Sequence, residues 1–355
     1  MSNHSIFRHS SPFTLECGIT LPEYHLAYHT YGSLNEYKNN VVWIFHALTA
    51  NSDPVDWWPG LVGEGKLFDP ATYFIVCVNM PGSCYGSIGP LEQMPASNEL
   101  YYHDFPFFTT RDMIRAYQPL KQYLGISRIH IGIGGSMGGQ QLLEWAIEEP
   151  SLFENIIPIA TNAWHSPWGK AFNASQRWCI EADPSWKNNS RLAGMEGMKL
   201  ARSVALLSYR HYQTYDLFQN DENAGSLTDF KAASYQQYQG EKLGKRFNAF
   251  SYYVLSRSMD SHHIGRGRND AATALQRISA VTIIIGLKSD ILFPLSEQRY
   301  LAKHIPGALL VEIDSVYGHD GFLLEFEAIE SEIKKFLLTN KATLRNDGSL
   351  HPAVQ

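Results

Sequence analysis

The sequence predicts an α/β protein in which a mostly parallel β-sheet is covered by helices on both faces and interrupted by a helical insertion. Three observations support this fold class. Short apolar runs alternate with helix-like segments over the first 160 residues, the alternation stops between residues 165 and 275, and it then returns. Strands that alternate with helices are typical of parallel sheets joined by helical crossovers.

Residues 1–164 are expected to form the first part of the core domain. Apolar and β-branched runs predict strands at 41–46, 73–79, 128–133 and 155–160, and helices are predicted at 111–124 and 138–148. Gly125 ends the first of these helices and Pro150 follows the second, as residues that stop helices commonly do.

Residues 165–275 contain no strand-like run and are rich in Arg, Gln, Tyr, Ser and Met, with a helical stretch at 195–209. We interpret this segment as a helical lid inserted over the carboxyl edge of the sheet. The core is expected to resume at 276–338, with strands at 280–286 and 308–313, a helix at 295–304 capped by Ser296, and an amphipathic helix at 323–338. Residues 339–355 are expected to form a polar C-terminal tail.

Composition limits the possible classes of function. The chain has 355 residues, of which 44% are hydrophobic, so it can bury a large core, and its formal net charge of −6 argues against nucleic-acid binding. No signal-peptide-like region and no apolar run long enough to cross a bilayer is found, so we expect no membrane association. The four cysteines form no CxxC pair, which predicts a cytoplasmic protein without a disulfide framework or a metal site.

The pentapeptide GGSMG at residues 134–138 is the main chemical signal. It matches the nucleophile elbow G-x-S-x-G, in which a sharp turn between a strand and a helix presents a serine, here Ser136, at the edge of the sheet. The backbone N–H of Met137 and the helix N-terminus would stabilise negative charge on an attacked carbonyl. The structural alternative is a glycine-rich turn without chemistry, but the predicted flanking strand and helix favour the elbow. The sequence therefore predicts the α/β-hydrolase fold.

A nucleophilic serine needs a base, and the base needs a residue that orients it. In this fold the chain order is serine, acid, histidine. Asp290 follows the predicted strand 280–286 and His319 follows the next strand. Alone, either would be an ordinary surface or capping residue, but their order and positions predict a triad of Ser136, Asp290 and His319. Asp314 is a weaker candidate for the acid, because it precedes His319 by only five residues.

A second oxyanion donor is expected in the loop after strand 41–46, and we assign it to the backbone N–H of Leu48.

Two other patterns are interpreted as structural. Residues 60–66 resemble a phosphate-binding loop but lack its Ser or Thr and its preceding strand, and His262 with His263 has no third metal ligand, which favours a solvated loop. Arg266 and Arg268 in that loop could contact an anionic donor, although exposed arginines are usually only solvated.

These residues predict acyl transfer through an acyl-serine. They do not decide whether water or another molecule accepts the acyl group, because the acceptor pocket determines that choice. A non-catalytic binding module on the same fold is a further alternative, which the intact elbow and triad disfavour.

Over nearly its whole length the sequence resembles the homoserine O-acetyltransferase family of methionine biosynthesis. The resemblance rests on seven segments: HALTANSDPVDWWPGLVGEGKLFD (46–69), NMPGSCYGSIGP (79–90), GGSMGGQQLLEWA (134–146), LARSVALLSYR (200–210), MDSHHIGRGR (259–268), SDILFP (289–294) and YGHDGFL (317–323). It implies ping-pong transfer of an acetyl group from acetyl-CoA, as co-substrate, to the hydroxyl of L-homoserine, without a bound cofactor. It also implies a homodimer joined through the lid helices.

The acceptor-binding residues of the family map onto three positions. Arg202 falls on the arginine that binds the substrate carboxylate, Asp320 falls on the aspartate that binds its ammonium group, and Tyr209 falls on a tyrosine that lines the pocket. Ser83 and Gln140 depart from the family pattern, which commonly has Gly and Met there. Succinyl-CoA as donor and L-serine as acceptor stay open, as does a plain esterase or thioesterase, although the charged clamp favours an amino-acid acceptor over water.

Overall fold

The computed structural model describes residues 4–95 and 97–346, and this part of the chain is built around an eight-stranded sheet. The strand order in the sheet is β1-β4-β6-β5-β7-β8-β9-β10, and β2 and β3 pair separately. The strands are β1 (Ser5–His9), β2 (Phe13–Thr14), β3 (Thr20–Leu21), β4 (Tyr24–Tyr31), β5 (Val41–Phe45), β6 (Phe74–Val78), β7 (Ile129–Gly135), β8 (Phe153–Ile159), β9 (Val281–Leu287) and β10 (Leu309–Ile313).

Helices cover both faces of the sheet, and six of them, α4 to α9, lie between β8 and β9. No helix in the described part of the chain has the length and apolar character needed to cross a membrane. The helices are α1 (Pro54–Trp57), α2 (Thr110–Tyr123), α3 (Met137–Glu148), α4 (Pro167–Glu181), α5 (Met195–Tyr209), α6 (Tyr212–Phe218), α7 (Lys231–Gly244), α8 (Ala249–Asp260), α9 (Ala271–Leu275), α10 (Leu295–His304), α11 (Gly321–Leu324) and α12 (Phe326–Asn346).

The direction of the strands places the loops that carry chemistry at one edge of the sheet. Strand β5 pairs in parallel with β6 and β7, β8 pairs in parallel with β7 and β9, and β10 pairs in parallel with β9. The antiparallel pairings of the described sheet, β1 with β4 and β4 with β6, lie at one side of it. The carboxyl ends of β5, β7, β9 and β10 therefore point the same way, and ligands of open α/β sheets bind at this edge.

Strand β5 shows why the central strands are continuous apolar runs in the sequence. All five of its residues are buried, and they alternate between two apolar clusters on opposite faces of the sheet. On one face Trp43 packs edge-on against Trp145 of α3, with ring centroids 5.0 Å apart. On the other face Ile44 belongs to the cluster that includes Ile329 and Ile333 of α12. A strand covered on both faces has no polar side, so periodicity alone does not reveal it.

The predicted fold class is confirmed, and the predicted strands and helices of the core agree with the structure to within about two residues. Three differences stand out. The strands before residue 41 were not predicted, because β4 mixes His, Thr and Tyr with apolar residues and β2 and β3 have two residues each. Pro294, not Ser296, precedes α10, and no side chain caps that helix. The last helix continues beyond residue 338 to Asn346, while the rest of the predicted tail, 347–355, lies outside the described residues.

Candidate active site

Ser136 lies in the sharp turn between β7 and α3. Its backbone has φ 56° and ψ −126°, a conformation that residues other than glycine rarely adopt. The turn is held from both sides. The Ser136 N–H donates to the Ile159 carbonyl at 3.0 Å, and the Ser136 carbonyl accepts a hydrogen bond from the Thr161 hydroxyl at 2.8 Å. Strain at one residue, maintained by its neighbours, is characteristic of a nucleophile elbow.

Close packing explains the glycines on either side of Ser136. A Cβ atom on Gly138 would lie 2.1 Å from the backbone oxygen of Phe45, and one on Gly134 would lie 2.6 Å from the backbone of Gly138. Real Cβ atoms do not approach backbone atoms this closely, so larger residues would push α3 away from β5 and β7. The glycines let the start of the helix pack directly on the carboxyl ends of these strands.

Asp290 and His319 form a buried hydrogen-bonded pair. The Nδ1 atom of His319 lies 2.7 Å from Oδ2 of Asp290, and both residues are less than 5% exposed. The other carboxylate oxygen, Oδ1, accepts the backbone N–H groups of Leu292 and Phe293 at 2.8 and 2.9 Å. A carboxylate fixed in this way orients the imidazole and leaves Nε2 as the basic nitrogen. Asp314, the weaker candidate, instead pairs with Lys288 at the surface, at 2.8 Å.

Ser136 and His319 line one cavity of about 490 Å³ at the carboxyl edge of the sheet. The cavity also brings together four other residues singled out from the sequence or by resemblance: Leu48, Arg202, Tyr209 and Asp320. Met137 is the first residue of α3, next to Ser136, and its side chain is buried in the apolar core and does not line the cavity. Predicted residues from four separate segments of the chain therefore meet in this cavity.

The loop that contains Leu48 is anchored by a buried histidine. His46 follows β5, its Nδ1 donates to the Ala47 carbonyl at 2.9 Å, and its Nε2 accepts the Met80 N–H at 3.1 Å. Burial lowers the pKa of His46 to about 4, so the ring is neutral and can accept that hydrogen bond. This anchoring fixes the backbone that leads to Leu48, where the second oxyanion donor is predicted.

Arg202 and Tyr209 lie on one face of α5, seven residues apart, and their side chains meet. The guanidinium carbon of Arg202 is 5.3 Å from the centre of the Tyr209 ring, and that ring is 5.9 Å from the imidazole of His319. Burial raises the pKa of the Tyr209 hydroxyl. The Arg202 guanidinium thus lines the same cavity as His319. It forms no ion pair with a carboxylate in the described part of the chain, so its charge is available to an anionic group of a substrate.

Asp320 has a partner that the sequence did not indicate. Its Oδ2 atom lies 3.0 Å from Nε of Arg210, which also lines the cavity. The residue precedes α11, but its side chain makes no capping hydrogen bond to that helix. Arg210 directly follows Tyr209 in the sequence and ends the segment 200–210. Its position in that segment was the signal that could have identified it as a site residue.

Aromatic rings fix the position of the imidazole. The ring of Phe293 stacks on His319 with centroids 4.9 Å apart, and Phe322 contacts it edge-on at 5.3 Å. Neither residue was identified from the sequence, although both lie in the segments that carry the resemblance. Apolar contacts of this kind restrict rotation of the imidazole and keep bulk water away from the pair with Asp290.

A buried polar chain adjoins the elbow and involves Gln140, one of the two departures from the family pattern. Its Nε2 donates to Oδ1 of Asn162 at 2.9 Å, and Nδ2 of Asn162 donates to the Glu297 carboxylate at 2.8 Å. Burial, reinforced by the charge of Asp290, raises the pKa of Glu297 to about 7. Glu297 is therefore partly protonated near neutral pH, close to the pair formed by Asp290 and His319.

The segment around His262 differs from its prediction as a solvated loop. His262 is buried, with Nε2 donating to the Asn162 carbonyl at 3.1 Å, and burial lowers its pKa to about 3. Arg266 forms an ion pair with Glu16 at 2.8 Å, and Arg268 forms ion pairs with Glu144 and Glu148. The loop is thus packed against the core, and neither arginine lines the cavity described above. The prediction of a solvated loop was wrong for His262, because its burial comes from contacts with residues 100 or more positions away.

Comparison with known proteins places this chain in a family. A model of the α/β-hydrolase fold matches residues 40–326. The homoserine O-acetyltransferase of Cyclobacterium marinum is 47% identical over 335 residues, covering 94% of this chain and 95% of the relative. The homoserine O-acetyltransferase of Chlorobaculum parvum is 41% identical over 343 residues, with coverage of 95% and 96%.

Solved structures agree with this placement. The homoserine O-acetyltransferase from Bacillus anthracis superposes with a TM-score of 0.86 at 26% identity, covering 94% of this chain and 97% of that one. Esterase E22 superposes with a TM-score of 0.83 at 21% identity, covering 94% and 99%, and shows the shared fold alone. The chain belongs to the homoserine O-acetyltransferase family, a group of acyltransferases built on the α/β-hydrolase fold.

Proposed function

We propose that this enzyme transfers an acetyl group from acetyl-CoA to the hydroxyl of L-homoserine and releases O-acetyl-L-homoserine and CoA. One observation carries the proposal. A serine in an elbow and a histidine paired with a carboxylate share a small cavity with a guanidinium and a second carboxylate. The first group of residues suits acyl transfer, and the second group suits an amino-acid acceptor.

In the first half-reaction, Nε2 of His319 removes the proton of the Ser136 hydroxyl as its oxygen attacks the thioester carbonyl. The N–H groups of Leu48 and Met137 stabilise the oxyanion of the tetrahedral intermediate. Asp290 holds the imidazole in its orientation and stabilises the imidazolium. When the C–S bond breaks, the imidazolium returns the proton to the sulfur, so CoA leaves as the thiol and Ser136 carries the acetyl ester.

In the second half-reaction, the homoserine hydroxyl attacks the acetyl ester. His319 removes the proton of that hydroxyl and later gives it to the departing Ser136 oxygen. Arg202 binds the substrate carboxylate, and Asp320, shared with Arg210, binds its ammonium group. Tyr209 lies between the guanidinium and the imidazole and fills the wall of the pocket between them. Two ends held by charges place the hydroxyl at the acyl-enzyme and favour homoserine over water.

Helices α4 to α9 supply the lid of this cavity and the surface of a homodimer. Support for the lid comes from Arg202 and Tyr209 on α5, which line the same cavity as Ser136. Support for the dimer comes from exposed apolar side chains on the outer side of these helices, including Trp178, Leu200, Leu207 and Leu217. Sedimentation of a Leu200→Glu, Leu207→Glu variant as a monomer would agree with this dimer, and an unchanged dimer would contradict it.

The test is release of the CoA thiol from acetyl-CoA or succinyl-CoA, with L-homoserine, L-serine or no acceptor. We expect turnover of acetyl-CoA that requires homoserine. Equal release without an acceptor would identify a hydrolase instead. A preference for succinyl-CoA or serine would preserve the mechanism and change the substrates.

A further inference from the structure

A second cavity, of about 1010 Å³, adjoins the one that contains Ser136. The two cavities share Asn51, Asp56 and Arg246 in their walls. The Arg246 side chain lies at this boundary, where its Nη1 atom donates to the Thr49 carbonyl at 2.5 Å and to the Tyr85 hydroxyl at 2.6 Å. The nucleophile is therefore next to a larger space whose role the acyl-transfer chemistry leaves open.

Positive charge is concentrated around these two cavities. In a chain of formal net charge −6, the two walls together carry six lysine and arginine side chains against three aspartates, Asp53, Asp56 and Asp320. Besides Arg202 and Arg210, the cations are Arg191, Lys242, Lys245 and Arg246. An excess of cations in concave surface focuses the field on an anionic ligand.

Three of these cations have no carboxylate partner within residues 4–95 and 97–346. Arg191, Lys245 and Arg246 line the larger cavity, and none of them forms an ion pair in that part of the chain. Lys199 of α5, by contrast, pairs with Glu196 and Glu241. Unpaired cations that converge on one concavity are suited to phosphate groups, which have several acceptor oxygens each.

We propose that the larger cavity binds the phosphate-bearing end of the acyl-CoA donor, with Arg191 and Lys245 as its phosphate ligands. This inference rests on the proposed function, because it requires a thioester donor at Ser136. Acetyl-CoA has its thioester at the tip of a long pantetheine arm and its phosphates at the other end. With the acetyl group at Ser136, the arm passes Arg246 at the shared wall, and the phosphates reach the cations beyond it.

A neighbouring apolar slot is the competing location. This space of about 290 Å³ also meets the Ser136 cavity, at Arg210 and Gln239, and it is walled by aromatic rings such as Tyr235 and Tyr317. Its single cation, Arg210, is already paired with Asp320. The slot therefore offers no free charge for a diphosphate, and the charge distribution favours the larger cavity.

The test compares donors with and without phosphates in an Arg191→Gln, Lys245→Gln variant. For acetyl-CoA we expect the KM to rise at least about tenfold, because hydrogen bonds to charged groups are lost. For acetyl-pantetheine, which has no phosphate, the KM should not rise. The wild-type KM for acetyl-CoA should also rise with salt, while that for acetyl-pantetheine should not. Lys303→Gln, at an exposed lysine on α10 outside both cavities, is the matched control.

Two results would overturn this inference while leaving the proposed function intact. In the first, the wild-type enzyme acetylates homoserine from acetyl-CoA, but the double variant prefers acetyl-CoA over acetyl-pantetheine as strongly as the wild type does. In the second, the KM for acetyl-CoA rises in a Tyr235→Ala variant and not in the double variant, which would place the donor in the apolar slot. A wild-type enzyme that uses neither thioester would instead contradict the proposed function.

Discussion

The carboxyl group of Glu297, near the active site, makes the free energy of unfolding depend on pH. Its carboxyl lies in the first turn of α10, accepts a hydrogen bond from Asn162 at 2.8 Å, and has a pKa raised by burial to about 7 from an ordinary value of 4.5. Between these two values the folded protein retains a proton that the unfolded chain has released. The free energy of unfolding therefore falls as the pH rises from 4.5 to 7 and then levels off, with a total loss of about 3 kcal/mol from this group.

The substitution Glu297→Gln removes the ionisation and keeps an oxygen that can accept the Asn162 hydrogen bond. We expect the variant to gain stability relative to wild type between about pH 5 and about pH 8, by about 2–3 kcal/mol. Urea unfolding at the two pH values, followed by tryptophan fluorescence, measures this difference. Glu327→Gln, at an exposed carboxylate of α12, serves as the control. A Glu297→Gln effect of equal size at both pH values would refute the reasoning.

Three further substitutions test separate parts of the site. Arg202→Ala should raise the KM for homoserine about tenfold to a hundredfold while acyl-enzyme formation continues; unchanged homoserine dependence would exclude the clamp. Asp290→Asn should lower kcat about 10³- to 10⁴-fold with the fold retained, because an amide does not hold His319 in the required tautomer. Gly138→Ala should lower the free energy of unfolding by about 1–3 kcal/mol, since its Cβ would meet the Phe45 carbonyl; wild-type stability would contradict the packing argument.

The parts of this molecule that were predictable from sequence are those with local signals. Glycines at 134 and 138 are needed because β7, α3 and β5 pack closely there, and the same contacts define the elbow. Asp290 and His319 could be placed next to each other because each follows a parallel strand, and parallel strands share an edge. The central strands were recognisable because burial on both faces makes them uniformly apolar.

The features that were missed depend on contacts between distant parts of the chain. The antiparallel strand β4 has mixed polarity, and it is defined by pairing with β6, more than 40 residues later. His262 looks like a loop residue but is buried by Thr110 and Asn162. The pairing of Arg210 with Asp320 joins residues 110 positions apart, and no local pattern encodes it.

The central claim is that Ser136 carries the acetyl group between donor and acceptor. The most direct measurement is mass spectrometry of enzyme mixed with acetyl-CoA without homoserine, quenched in acid and digested. We predict one acetyl group on the peptide that contains Ser136, its loss on addition of homoserine, and no acetylation of that peptide in the Ser136→Ala variant. Equal acetylation of that variant, or product formation by it at the wild-type rate, would contradict the mechanism.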